Sequence, residues 1–134
     1  MPRRNVEIVQ QIYDAIRRRD LPAIVRHFGS DIEMVQSTEV PWGGTYRGHA
    51  DVQKFFGKLA ASINGAATVE RYVDSGDCVV AIGKAKGAVN ANGRPYEIGI
   101  AHVWEIGTDV KIARVRFCVD HPPLLEALSA AAPS

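Results

Sequence analysis

Between Asn5 and Ile16 apolar residues recur at helical spacing, with Val6, Val9, Ile12, Tyr13 and Ile16 on one face. Asn5 is placed to cap this first helix, which ends in Arg17-Arg18-Arg19, where cations suit the helix dipole. Asp20 then caps a second, short helix with Pro22 in its first turn, where no N–H is needed. Ile24, Val25 and Phe28 are its predicted inner residues and Gly29 its stop. The period next changes to two. Over Asp31–Ser37, Ile32, Met34 and Gln36 share one face and Glu33, Val35 and Ser37 the other, which predicts a strand. Pro41, Gly43, Gly44 and Gly48 break the following loop. Its aromatics, Trp42 and Tyr46, are placed either to cap a pocket or to staple the loop to the body. Helical spacing returns over His49–Ile63, with Val52, Phe55, Phe56, Leu59 and Ile63 as the buried stripe.

From Ala67 onward the chain is strand-like. Strands are predicted over Thr68–Asp74, Cys78–Val89, Tyr96–Ile106 and Val110–Val119. Turns fall at Ser75-Gly76-Asp77, at Asn90–Gly93 with its Asn-Gly hairpin signal, and at Gly107–Asp109. Pro122-Pro123 ends the last strand, and Leu124–Leu128 makes one helical turn before an alanine-rich tail that is expected to fray. The order α-α-β-α-β-β-β-β is an α+β pattern. Gly83, Gly87 and Gly99 inside long strands predict a strongly curved sheet. Such a sheet folded over helices leaves a cone, and a cone with apolar walls is a small-molecule pocket.

One strand stands out. In Pro95–Gly107 the residues Tyr96, Ile98, Ile100, His102, Trp104 and Ile106 share a face that is apolar except at His102. A lone imidazole there is either a hydrogen-bonded core residue or the working group of a pocket. If it works, its expected partner is Gln36, a backbone group or water. Burial would hold it neutral.

Length and charge narrow the partners. The 134 residues suit one domain, 1–134, and a hydrophobic content of 46% suits a buried core. Sixteen Lys and Arg against fifteen Asp and Glu leave +1, so no basic excess points to nucleic acid. No apolar run approaches the ~18 residues of a membrane span, and no apolar segment follows the basic start as in a signal peptide. The expected location is cytoplasmic. Cys78 and Cys118 have no metal-ligand spacing, and both a bridge and two reduced thiols fit the sequence. His27, His49 and His121 read as surface or structural, and neither a metal nor a cofactor is expected.

Three stretches carry a resemblance over nearly the whole chain: NVEIVQQIYDAIRRRDLPAIVRHFGSDIEM, GTYRGHADVQKFF and IAHVWEIGTDVKIARVRF. They resemble the NTF2-like superfamily, and within it the SnoaL-like and ketosteroid-isomerase-like proteins. The resemblance implies a cone-shaped fold, with N-terminal helices packed in a strongly curved antiparallel sheet. It also implies pairing through sheets as a homodimer. The isomerase's catalytic aspartate falls on Gln36, and its protonated second acid falls on His102. Its tyrosine donor falls at Ile12, one residue before Tyr13, and its supporting tyrosines fall on Phe28 and Phe56. The last strand, where epoxide hydrolases of this fold carry an aspartate, offers Phe117.

The site expected from these readings has Gln36 and His102 as its polar groups. Tyr13, Met34, Trp42, Phe56, Ile100, Trp104 and Phe117 are its expected substrate-binding walls. Two functions fit. One is a cofactor-free isomerase, cyclase or hydratase acting on a small apolar carbonyl compound, with His102 as acid/base and Gln36 orienting the oxygen. The other is a non-catalytic ligand-binding or dimerisation module of the same fold.

Overall fold

A computed structural model describes residues 2–129 of the chain. Its elements in order are α1 (Pro2–Arg17), α2 (Leu21–Val25), β1 (Phe28–Gln36), β2 (Gly44–Arg47), α3 (Gly48–Ser62), β3 (Ile63–Asp74), β4 (Cys78–Val89), β5 (Pro95–Ile106), β6 (Ile112–Val119) and α4 (His121–Ser129). The α+β expectation holds. The alanine-rich tail from Ala130 lies outside the described residues.

Local differences have local causes. Asn5 does not cap α1, because the helix starts three residues earlier; its side-chain amide instead donates to the Gly76 carbonyl at 2.6 Å, tying α1 to the β3–β4 turn. Asp20 does cap α2, accepting from the Ala23 N–H at 3.2 Å. Phe28 and Gly29 are not the end of α2. The Ile112 N–H donates to His27 O and Phe28 pairs with Ile112, so the chain is already in the sheet. The loop after β1 contains an unpredicted strand, β2, whose four residues pair with β1. Tyr46 lies on it and staples the loop, its hydroxyl donating to Trp42 O at 2.9 Å.

The six strands form one sheet in the order β2-β1-β6-β5-β4-β3. It is antiparallel except where β1 and β6 run parallel, a pairing the expected all-antiparallel sheet lacks. These two strands lie far apart in sequence and meet only once the meander from β3 to β6 has folded back. One hydrophobic cluster fills the interior. α1 packs against β3 and β4, α3 against β1 and β2, and α4 against β5. Cys78 and Cys118 are free thiols.

The curvature is concentrated between β3 and β4. The inward positions of β4 include Ala81, Gly83, Ala85 and Gly87, all small. A Cβ on Gly83 would sit 2.0 Å from Thr68 O, and one on Gly87 would sit 1.9 Å from Asn64 O. β3 is therefore coiled over β4 closely enough that only hydrogen fits. A bulge between Val69 and Arg71 adds to this and reverses the facing of β3: Ile63, Gly65, Ala67 and Val69 face inward before it, Tyr72 after it. Gly83→Ala should cost about 1–3 kcal/mol, because the clash is with backbone. Gly99 has open space where its Cβ would be. There the same change should be neutral or stabilise by a few tenths of a kcal/mol up to about 1. Paired urea denaturation curves check both; equal losses at the two sites would show that the coil does not need Gly83.

Candidate functional site

Strand register builds the site in rows. Gln36 on β1 is paired with Phe117 on β6, Phe117 with His102 on β5, and His102 with Ala81 on β4. The four side chains therefore share one face, with Gln36 and His102 two strand spacings, about 9.5 Å, apart and Phe117 between them. The row below is Met34, Val115, Trp104 and Val79 in the same register, and all four are fully buried. That row fills the narrow tip of the cone. The upper row opens onto a cavity of about 150 Å3.

Tyr13, Gln36, Trp42, Phe56, Ile100, His102 and Phe117 all border this cavity. Met34 and Trp104 do not; they lie behind it in the tip. The sequence reading also passed over part of the wall. Phe55 stacks on Phe117 with centroids 5.4 Å apart, Tyr96 and Leu124 close two sides, and Gly65, Ala67 and Ala85 leave room on a third. Phe55 was legible as core, but the register that turns it toward Phe117 was not. A second cavity of about 340 Å3 shares Ile16, Phe56, Leu59, Ile63 and Gly65 with the first, so the two lie side by side.

The polar groups are linked by short hydrogen bonds. Trp104 Nε1–H donates to the Tyr13 hydroxyl at 3.1 Å, and that hydroxyl lies 2.6 Å from His102 Nδ1. The partner of His102 is thus Tyr13, one residue beyond the Ile12 position the resemblance singled out. Ile12 itself is fully buried. Indole is a donor only, so the Tyr13 oxygen accepts from Trp104 and keeps its own proton to donate to Nδ1. Burial favours this arrangement from both ends. It pushes the Tyr13 hydroxyl well above its usual pKa, against the Trp104 hydrogen bond, which acts the other way. It lowers the His102 imidazole to about 4. At neutral pH the ring is uncharged, its Nδ1 is occupied, and the proton resides on Nε2, which has no hydrogen-bond partner among the described residues. Across the row, Trp42 Nε1–H donates to Gln36 Oε1 at 3.0 Å, leaving the Gln36 amide N–H groups as donors. The cone thus presents N–H donors from two sides of Phe117. No Asp or Glu is among the described residues lining it.

His49 and His121 are engaged elsewhere. His49 Nε2 lies 3.0 Å from Phe28 O, and His121 Nδ1 lies 3.4 Å from Glu39. Among the described residues no three His, Cys, Asp or Glu side chains gather as a metal site, and no helix is long and apolar enough to cross a membrane.

Two expectations follow for stability. In the unfolded chain His102 titrates near 6.5, and in the folded protein near 4. The unfolded state therefore binds the extra proton between these values, so this contribution is complete above about pH 6.5 and is lost as pH falls toward 4. The whole gap is worth about 3 kcal/mol. Denaturant melts from pH 7 to 4 should show an acid-dependent loss in wild type that is smaller by roughly this amount in His102→Gln. An unchanged slope would mean the ring is not held neutral by burial. Tyr13→Phe removes the acceptor of a buried indole N–H and should cost about 1–3 kcal/mol at pH 7.

Comparison with known proteins agrees with this architecture. The chain matches the model of the SnoaL-like domain over residues 9–115. No curated protein gives a significant sequence match. Among solved structures, an NTF2-like protein from Burkholderia xenovorans superposes with a TM-score of 0.87 at 25% identity, covering 96% of this chain and 98% of that one. An NTF2-like protein of unknown function from Burkholderia pseudomallei gives 0.88 at 23% identity, covering 94% and 98%. TerC, co-crystallised with polyporic acid, gives 0.84 at 24% identity, again covering 94% and 98%. With the family match spanning most of its length and this fold behind it, the chain belongs to the SnoaL-like domain family.

Proposed function

We propose that this chain binds a small, largely apolar molecule in the cone and acts on it as a cofactor-free isomerase, cyclase or hydratase, with the ligand's carbonyl-type oxygen at His102. The observation that carries the reading is the Trp104–Tyr13–His102 chain, which ends in a neutral imidazole N–H at a cavity wall. In this reading His102 serves on the acid side. Its Nε2–H donates to oxygen as negative charge develops there, and a preorganised donor in a dry site is worth far more than one in water. Tyr13 holds the tautomer, and Gln36 orients the far side of the ligand. With no Asp or Glu among the described residues of the lining, proton abstraction rests on the substrate's own acidity or on a bound water. That restricts the chemistry to activated C–H bonds, enols and hydration. TerC, whose fold this chain shares, was co-crystallised with polyporic acid, which supports a small-molecule ligand for this fold.

The same absence of a carboxylate favours a second reading, a binder that performs no chemistry. Aryl ketones in D2O separate the two. A ligand at a hundredfold excess over its Kd should raise the melting temperature by roughly 5–10 °C, corresponding to ~2.7 kcal/mol of linkage. The enzyme reading also requires protein-dependent exchange of the ketone's α-protons, followed by NMR. His102→Gln should lower that exchange about 10²-fold or more while preserving binding within severalfold. Stabilisation without exchange would leave the binder; neither effect across a broad panel would remove both.

The proposal includes a homodimer formed through the outer face of the sheet. Val35, Arg116, Val103, Val80 and Val73 make one row on that face, and Ile82 beside it is 36% exposed. Sedimentation velocity at micromolar concentration should give twice the chain mass, and Val80→Glu should return it to the mass of one chain. A monomeric wild type would refute this assembly.

A further inference from the structure

The three arginines that end α1 are not equivalent. Arg17 is paired with Asp14, and Arg18 with Asp20 at 3.3 Å. Arg19 has no carboxylate partner among the described residues; its Nη2 donates instead to Asn64 Oδ1 at 3.3 Å, beside Gly65 on the cavity wall. Its backbone is also unusual. The Arg19 N–H donates to Ile16 O and the Asp20 N–H to Ala15 O, each at 3.0 Å. These are the two bonds that close a helix through a left-handed residue, and Arg19 is that residue, with φ of 55°. Glycine is favoured there, and any larger side chain is strained. An arginine in that place is a strained residue at the rim of a pocket, and strain of this kind is often functional.

Its side chain lines the outer cavity together with Ile16, Phe56 and Ile63. It also lines a smaller cleft that Tyr13, Arg17 and Gly65 complete. Neither is lined by an Asp or Glu among the described residues, and Arg19 is the cation there that no carboxylate of those residues pairs. Tyr13 borders both the inner cavity and the cleft that Arg19 lines, and Arg19 follows the end of α1 at Arg17 by two residues. A molecule with its oxygen at His102 would therefore reach the rim with its other end.

We propose that the ligand of this cone is an amphipathic acid, with an apolar body against the inner walls and a carboxylate or similar anion held at the rim by Arg19. This deepens the function proposed above and rests on it. Arg19 selects the ligand by charge and fixes how far its oxygen enters. Arg17, already neutralised by Asp14, contributes less.

The test compares 5-oxo-5-phenylpentanoate with its primary amide, which has nearly the same shape and no charge, by calorimetry at low salt. Wild type should bind the acid about tenfold or more tightly than the amide, and the preference should shrink as salt rises, because the rim is open to water. Arg19→Gly should bring the acid to the affinity of the amide and leave the amide's own affinity unchanged. Its melting temperature should be equal to wild type or higher, because glycine suits the left-handed position. Arg19→Lys should keep part of the preference. Equal binding of both probes to wild type, or an acid preference that survives in Arg19→Gly, would overturn the charge assignment and leave the cavity reading intact. A fall in melting temperature with loss of amide binding would make Arg19 a structural residue. Binding of neither probe would overturn both proposals.

Discussion

The interior of this protein depends on how an imidazole is kept among aliphatic and aromatic side chains. A buried polar group without a partner is costly, and a buried charge costs far more. His102 avoids the charge by staying neutral and has one ring nitrogen satisfied by Tyr13, which supplies the proton that Nδ1 needs, while Trp104 donates to the Tyr13 oxygen and Nε2–H is left facing the cavity. Each member has one role it can fill, since indole only donates and the neutral ring must accept on one nitrogen. The chain also joins α1 to β5, elements 89 residues apart at their bonded positions. Helix position, ring tautomer and the direction of the free N–H are consequently one constraint rather than three.

That constraint needs space above it, and the space comes from the opposite edge of the sheet. The small inward residues of β4 let β3 coil over them, and the bulge after Val69 increases the twist. The tip is meanwhile occupied by Met34, Val115, Trp104 and Val79, all fully buried. The taper is a matter of side-chain volume by row. Below His102 the rows are filled; above it they pair Ile100 with Gly83 and Ile98 with Ala85, large against small. Filling the small side would close the cone, and emptying the tip would leave the Tyr13 hydroxyl without its indole.

How legible these features were in the sequence depended on the range of the forces involved. β4 was readable to its ends, Cys78–Val89, because alternation and turn residues bracket it. The cap at Asp20 was readable because it acts over three residues. β2 was not, because Gly44–Arg47 has no strand pattern of its own and is extended only by pairing with β1. The first half of β3 was hidden for the same reason: Asn64, Gly65, Ala66 and Ala67 show no apolar alternation, and β4 alone holds them in line. In the site, sharing a face with alternating neighbours was enough to place Gln36, Ile100, His102 and Phe117 on the inner side. The separation of lining from core was not. Trp104 and His102 are two residues apart on one face, and only the cross-strand register shows that one closes the tip while the other borders the cavity.

The arrangement also bears on chemistry. A cone with a carboxylate can remove a proton by itself, whereas this one offers N–H groups from His102 and Gln36 and a tyrosine whose proton is held firmly. Donors stabilise an oxygen that gains charge; they do not create that charge. Under the proposed function the substrate is therefore one whose C–H or O–H is already acidic, or one that water can attack. Burial adds a second restriction, since the same desolvation that keeps His102 neutral excludes a charged group from the inner cone. Any anionic part of a ligand has to remain at the rim, where the solvent and the cationic end of α1 can meet it. Under the two proposals, selectivity by shape inside and by charge outside follows from one dielectric boundary, drawn between the His102 row and the surface.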